Sequence, residues 1–346
     1  MDKVKVGLVG YGFSGQTFHA PLLKALSEFE ITKVMSSNPE KVREDLGNVD
    51  VVSSIEGVLE DESIELVVIT TPNTFHFDMA KKSLQANKHV VIEKPMVVES
   101  EEGLELIALA EKHDRMLSVY QNRRFDNDFL TIKKLLSEDQ LGEVYSYEAH
   151  FNRFRPETRD RWRERPGKGA GMLYDLGSHL VDQALHLFGK PNFVQADVFP
   201  QRDGSEVDDY FHITLGYDKL RVMLHSGSVV LEAGPRYQVH GRKGSFLKYG
   251  MDGQEDALKA GKNVQDDDWG TDLPERYGKI VTESESGLKE ERVETVSGSY
   301  PTYYKEVYAH LREGKANPVP AQEGLLTIQI LEAAKRSSEE KRVIDL

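Results

Sequence analysis

Apolar residues up to Arg123 come in short blocks of two alternating kinds. Val4–Val9, Ile31–Met35, Val49–Val52, Leu66–Thr70, His89–Ile92 and Leu117–Tyr120 are brief, rich in β-branched residues and apolar on both faces. That pattern predicts parallel strands covered on both sides. Between them, Pro21–Glu28, Pro39–Leu46, Ile55–Glu60, Phe75–Ala86 and Ser100–Lys112 carry helical spacing. Asn38-Pro39, Ser54 and Ser100 mark helix starts, with Gly103 where a capping box after Ser100 would place Glu. Strict alternation of strand and helix predicts a doubly wound parallel sheet.

After Arg123 the rhythm changes. Helical stretches at Asp128–Ser137 and Met172–Phe188 give way to alternating segments at Phe193–Phe199, Tyr210–Leu215, Leu220–His225, Tyr237–Gly241 and Phe246–Lys248. Their turn-rich gaps predict hairpins and a largely antiparallel sheet. Residues 250–275 are acidic, Gly-rich and weakly periodic, and read as an irregular loop. Helices at Pro301–Glu313 and Gln322–Lys341 end the chain. The expectation is an α/β domain over residues 1–121 and an α+β domain over 122–346, with the C-terminal helix packing back on the first.

Composition narrows the function classes. Of 346 residues, 58 are acidic and 44 basic, for a formal net charge of −14. Duplex binding needs clustered cations to neutralise phosphates, so nucleic acid is not the expected partner. There are no cysteines, which excludes disulfides, thiol catalysis and thiolate metal sites. No segment approaches the 18 or so apolar residues of a membrane span, and the N-terminal run is too short for a signal peptide. A soluble, cytoplasmic protein is expected.

The first strand runs into Gly10-Tyr11-Gly12-Phe13-Ser14-Gly15 and then a helical segment. This is G-x-G-x-x-G in the context that phosphate binding demands: a tight turn, a bare backbone for pyrophosphate, and close helix–strand packing. An NAD site places an acid at the end of the second strand, but this chain reads Met35-Ser36-Ser37-Asn38. Hydroxyls at Ser36 and Ser37 suit a 2′-phosphate, with Lys41 or Arg43 for charge, so NADP is favoured over NAD. The plainer alternative makes Ser36 and Ser37 helix caps and the cations solvated surface. Thr71, Pro72, Asn73 and His76, after the fourth strand, and Glu93 with Lys94, at the end of the fifth, complete the expected cofactor set.

Lys94, in Glu93-Lys94-Pro95, lies where α/β sheets bind ligands, beyond the strand carboxyl ends. Asp175 and His179 are spaced i and i+4, so on a helix they share one face, and His is suited to proton exchange near neutrality. The stripe continues through Asp182 and His186. Alternating His and carboxylate permits a zinc reading, but the favoured one makes Asp182 and His186 buried polar residues tied to nearby backbone, with no metal.

Together the glycine turn, Glu93-Lys94-Pro95 and the Gly171–Asp182 run resemble the Gfo/Idh/MocA family of nicotinamide-dependent oxidoreductases over essentially the whole chain. Within it, Tyr120–Phe129 and Tyr249–Gly261 are most similar to bacterial NADP-dependent scyllo-inositol dehydrogenases. The resemblance implies a Rossmann domain, a second domain whose open sheet serves homodimer or homotetramer contacts, and Lys94, Asp175 and His179 meeting at the nicotinamide. It also implies hydride transfer at a CH–OH or C=O carbon of a cyclic polyol or sugar. His179 would move the hydroxyl proton, Lys94 would bond the same oxygen, and Asp175 would orient His179 or bind a neighbouring hydroxyl. Arg124, Arg153 and Tyr174 are candidate substrate contacts. The arginines of Phe151–Trp162 read as a pocket rim or subunit contact. Rival functions are a nucleotide-binding sensor without turnover and an NAD(P)-assisted hydrolase or lyase on sugars.

Overall fold

The computed structural model describes residues 3–346. Contacts divide the chain into two compact units. One takes the chain up to Asn122 together with Gln254–Trp269 and Ser299–Leu325; the other takes Arg123–Gly253, Gly270–Gly298 and Leu326–Leu346.

The first unit is built on six parallel strands: β1 (Val4–Val9), β2 (Phe29–Met35), β3 (Asp50–Val52), β4 (Leu66–Ile69), β5 (His89–Glu93) and β6 (Leu117–Tyr120). Their order is β3-β2-β1-β4-β5-β6, the doubly wound arrangement whose ligands sit outside the strand carboxyl ends. All four residues of β4 are buried, as are Val4, Val6, Leu8 and Val9 of β1. That burial explains why these strands read as continuous apolar runs. The connecting helices are α1 (Ala20–Ala25), α2 (Pro39–Leu46), α3 (Ile55–Leu59), α4 (His76–Gln85) and α5 (Ser100–His113).

Two local expectations differ. The helix after the glycine turn opens with a π-turn, Gly15–His19, before α1. Helix α5 is capped one residue earlier than expected: Glu99 is the N-cap and Glu102 completes a capping box. A carboxylate there fulfils the acceptor role assigned to Ser100.

The second unit carries a nine-stranded sheet: β7 (Val144–His150), β8 (Phe193–Phe199), β9 (Tyr210–Gly216), β10 (Arg221–Gly227), β11 (Tyr237–Gly241), β12 (Gly244–Lys248), β13 (Gly278–Ser284), β14 (Gly287–Val293) and β15 (Ile344–Asp345). The order is β14-β13-β12-β11-β7-β10-β9-β8-β15. Only the β7–β10 pair among the described pairings is parallel. Phe211, Ile213, Val222, Leu224, Val239 and Phe246 are buried on this sheet. Helix α6 (Asn127–Ser137) and helix α7 (Ser178–Phe188), which contacts β10, belong to the same unit.

Strands β7, β13, β14 and β15 lie outside the segments that apolar patterning marks as strands. β7 alternates polar with buried residues, Tyr147 and Ala149, and β14 is exposed almost throughout, so neither presents an apolar run. The stretch read as an irregular loop contains a short helix, α8 (Gln254–Lys259), fastened by Trp269 Nε1 donating to Gln254 Oε1 at 2.8 Å. Helix α9 (Tyr300–Glu313) belongs to the first unit, and α10 (Ala321–Glu340) begins there. α9 buries Tyr300, Tyr303 and Tyr304, and Tyr304 stacks edge-on against Phe29 of β2 at 5.7 Å. No described helix is long and apolar enough to cross a membrane.

Candidate active site

The first unit's site starts where β1 ends. Gly10 has φ +97°, a region that disfavours side chains, and its N–H donates to Met35 O at 3.0 Å. A Cβ on Gly15 would stand 2.5 Å from Gly10 O, so this helix start can approach the strand end only as glycine. Thr70 Oγ1 donates to Gly10 O at 2.8 Å and fastens the turn from the neighbouring strand end. At Gly12, by contrast, a Cβ would meet nothing within 4 Å. The backbone there is bare toward open space, which fits the phosphates of a dinucleotide.

Hydroxyls at the end of β2 stand next to this turn. Ser36 Oγ accepts from Asn38 N at 3.0 Å, and Asn38 itself caps α2 through Lys41 N at 3.1 Å. Neither Ser36 nor Ser37 is that helix's N-cap.

Glu93 is a hub. Its carboxylate accepts from Ser14 Oγ, from Lys94 N at 3.0 Å and from His19 Nε2 at 3.0 Å. Burial alone would lift this carboxyl, but His19 outweighs it first, with Ser14 and Lys94 adding, and the group is held down to about 2. His19 is itself buried, and its Nδ1 lies 2.6 Å from Tyr304 Oη. Lys94 is thus followed by a turn and preceded by an anion tied to the glycine loop. His76 grips the other side, with Nδ1 2.9 Å from Pro95 O and Nε2 2.9 Å from Thr71 O. Burial pushes the His76 imidazole down despite these two carbonyls, which favour the charged form.

In the second unit the site is built at the start of α7. Gly171 has φ +91°, and a Cβ there would lie 2.1 Å from Asp208 Oδ1. Asp208 accepts from Leu173 N at 2.6 Å through its carboxylate and from Met172 N at 2.8 Å through its carbonyl. It therefore fixes the turn that delivers Asp175, and burial raises its carboxyl to about 6. Asp175 lies in a π-turn, Leu173–Gly177, ahead of His179 in α7. The wider turn departs from the regular 3.6-residue spacing behind the expected shared face. Asp175 pairs with Arg163 at 3.6 Å, and His179 is buried.

Further along α7, Asp182 takes a bidentate contact from buried Arg124, at 2.8 and 2.6 Å. The expectation that Asp182 and His186 are buried and tied to nearby backbone is corrected: Asp182 is buried but meets the Arg124 side chain, 58 residues away, and His186 is exposed beside the Lys133 side chain. Gln183 donates to Arg123 O at 2.7 Å and accepts from Tyr237 Oη at 2.8 Å. His186 lies 2.9 Å from Lys133 Nζ, and desolvation, then Arg124 and Lys133, hold it down to about 3. Among the described residues no group of three His, Cys, Asp or Glu could hold a metal ion.

Within the first unit, then, the structure brings Gly10, Gly12, Ser14, Gly15, Thr71, His76, Glu93 and Lys94 into one bonded neighbourhood. Tyr11 turns away to Asp45 at 3.2 Å, Phe13 is exposed and Asn73 is buried. Within the second, Arg153 and Asp175 line one cavity, while Tyr174 is buried and Arg124 is committed to Asp182. Sequence reasoning did not single out His19, Tyr304, Thr70, Arg163 or Asp208. No local spacing in the sequence marks these contacts, since His19 lies 74 residues from Glu93 and 285 from Tyr304.

Comparison with known proteins accounts for both units. Residues 4–121 match the family model described as an oxidoreductase family NAD-binding Rossmann fold. Residues 133–346 match the corresponding C-terminal alpha/beta domain. The chain is 52% identical to a scyllo-inositol 2-dehydrogenase (NADP(+)) of Bacillus subtilis (strain 168), covering 100% of this chain and 97% of that protein. It is 44% identical to the uncharacterized oxidoreductase YdgJ of Escherichia coli (strain K12), over 100% and 99%. Among solved structures, the Bacillus subtilis oxidoreductase yvaA superposes with a TM-score of 0.98 at 52% identity, covering 100% and 99% of the two chains. The chain belongs to the Gfo/Idh/MocA family of oxidoreductases.

Proposed function

We propose that this oxidoreductase transfers a hydride between NADP(H) and the CH–OH or C=O carbon of an inositol-like cyclic polyol or sugar. The observation that carries the reading is the Glu93 hub. It immobilises the turn bearing Lys94 and couples it to the glycine turn. A sensor without turnover has no need of a lysine held in this way at a strand's carboxyl end. The activity of the Bacillus subtilis relative, a scyllo-inositol 2-dehydrogenase (NADP(+)), supports both the polyol and NADP. The acid-free end of β2, with Ser36 and Ser37, supports NADP independently.

Backbone at Gly10, Gly12 and Gly15 would hold the cofactor's phosphates, Ser36 and Ser37 the 2′-phosphate, and the Thr71–Asn73 turn the nucleotide's far side. When bound, the nicotinamide supplies or takes up the hydride. The protein's part is proton and charge management. His179 takes the substrate hydroxyl proton in oxidation and returns it in reduction. Lys94 donates a hydrogen bond to the same oxygen and stabilises its developing negative charge. Asp175, held by Arg163, orients the substrate or His179. A homo-oligomeric, cytoplasmic enzyme without metal completes the proposal.

The test is a steady-state panel of inositols, aldoses and their keto forms with NADPH, NADP, NADH and NAD. NADP(H)-linked turnover of at least one cyclic polyol supports the reading. Tight nucleotide binding without turnover of any compound, or product formed without net cofactor change, overturns it.

A further inference from the structure

Asp175 opens onto a cavity of the second unit where five arginines, Arg153, Arg155, Arg161, Arg163 and Arg202, meet three further carboxylates, Glu164, Asp208 and Asp209. The strap that supplies the first four is anchored at its start by backbone hydrogen bonds. Arg153 N donates to Gly227 O at 3.1 Å, and Arg155 N donates to Ser228 O at 2.7 Å. Arg202 clamps the strap from below, donating to Arg155 O at 3.2 Å and Glu157 O at 2.8 Å.

The cavity's carboxylates are largely committed. Arg202 takes Asp209 at 2.7 Å and Glu164 at 3.0 Å. Arg161 shares Glu164 at 3.3 Å, and Arg163 takes Asp175 at 3.6 Å. Asp208 is spent on Leu173 N, and burial favours its neutral form. Arg155 makes no ion pair among the described residues. Burial lowers its guanidinium below the usual arginine range, and Arg159 and Arg161 push the same way against weaker pulls from Glu164 and Asp175. A half-buried cation crowded by cations is a group whose charge is best met by an anion from outside the chain. In a chain of net charge −14, such a local excess is not a general surface property.

Resting on the dehydrogenase reading above, we propose that this cavity is an anion subsite, in which Arg155 with Arg153 binds a carboxylate or phosphate substituent of the polyol substrate beside Asp175. The arginine-rich strap would then act as a specificity element, selecting acidic or phosphorylated polyols over neutral ones. Guanidinium suits this task because it offers paired donors to either oxyanion.

The test compares matched substrates in the holoenzyme: D-glucuronate against D-glucose, and myo-inositol 1-phosphate against myo-inositol. At least one acidic member is expected to show the higher kcat/KM, and the pair that does so tells carboxylate from phosphate. Arg155→Gln should lower that acidic-to-neutral ratio by about 10- to 100-fold, the worth of a charge-assisted contact. Arg155→Lys, which keeps the charge and loses the fork, should restore part of it. Equal kcat/KM within both pairs, or a ratio unmoved by Arg155→Gln, overturns the subsite. So does an Arg155→Gln effect confined to KM for NADPH, which would give the arginine to the cofactor. If no polyol turns over, the dehydrogenase reading fails, and calorimetric titration with inorganic phosphate still decides the subsite. Binding that Arg155→Gln abolishes supports it, and absence of binding overturns it.

Discussion

Replacing His19 by Phe removes two buried hydrogen bonds while keeping a ring of similar outline. His19 bridges Glu93, at 3.0 Å, and Tyr304, at 2.6 Å, and has no solvent exposure. A bond to a charged group is worth about 1.5–3 kcal/mol and a neutral one about 0.5–1.5, so the variant should lose about 2–4.5 kcal/mol. The depression of Glu93 gives a second route to the number. A fall from 4.5 to about 2, at about 1.4 kcal/mol per unit, is roughly 3 kcal/mol. His19 supplies the largest share of that, and Ser14 and Lys94 the rest. For a unit of this size the loss corresponds to a fall in Tm of about 5–15 °C.

The pH dependence follows from the sign. Glu93 is more acidic folded than unfolded, so its ionised form supports the fold fully above about 4.5, and that support drains away as pH falls toward 2. Without His19 the folded pKa moves up and the support is missing at every pH. The gap in Tm between wild type and His19→Phe should therefore be widest at pH 5 and above and shrink as pH approaches 3. Thermal unfolding followed by circular dichroism across that range measures it. His19→Gln, which keeps an N–H donor, should recover part of the loss. A His19→Phe protein melting within about 2 °C of wild type at pH 7, or a gap that widens on acidification, would refute the hub.

Three further outcomes are expected. Asp182→Asn leaves Arg124 buried without its charged partner, and should cost about 3–5 kcal/mol in urea unfolding. Asp208→Asn keeps the acceptor for Leu173 N but removes a carboxyl raised from 3.8 to about 6. Because that group binds its proton more tightly when folded, wild-type stability declines between pH 4 and 6, so the variant should gain on wild type across that interval. Ser36→Asp places at the end of β2 the acid that an NAD site uses. Cofactor titrations by fluorescence should then shift preference from NADPH toward NADH by at least about tenfold, an energy near 1.4 kcal/mol.

The parallel sheet was legible because both faces of β1 and β4 are buried, so composition alone marks the strands. The same logic hid β14, whose residues face solvent, and β7, whose polar positions alternate with Tyr147 and Ala149. The glycine turn could be read because its steric demands act within six consecutive residues. The Glu93 hub could not, since its partners Ser14 and His19 lie 79 and 74 residues away and Tyr304 further still. Nothing in local periodicity records such a pairing. Arg124 with Asp182 is the same case, as is Asp208 beneath Gly171. Motifs name the groups that carry chemistry, and the fold names what holds them still.

In the proposed reaction His179 and Lys94 manage the proton and charge of hydride transfer. Single-turnover oxidation of bound NADPH by a keto-polyol substrate, followed at the nicotinamide absorbance, tests it most directly in His179→Ala and Lys94→Ala enzymes. Removing either group should slow the hydride step by about 10²- to 10⁴-fold, with the NADPH dissociation constant of His179→Ala close to wild type. A hydride step within a few-fold of wild type in either variant would contradict the account.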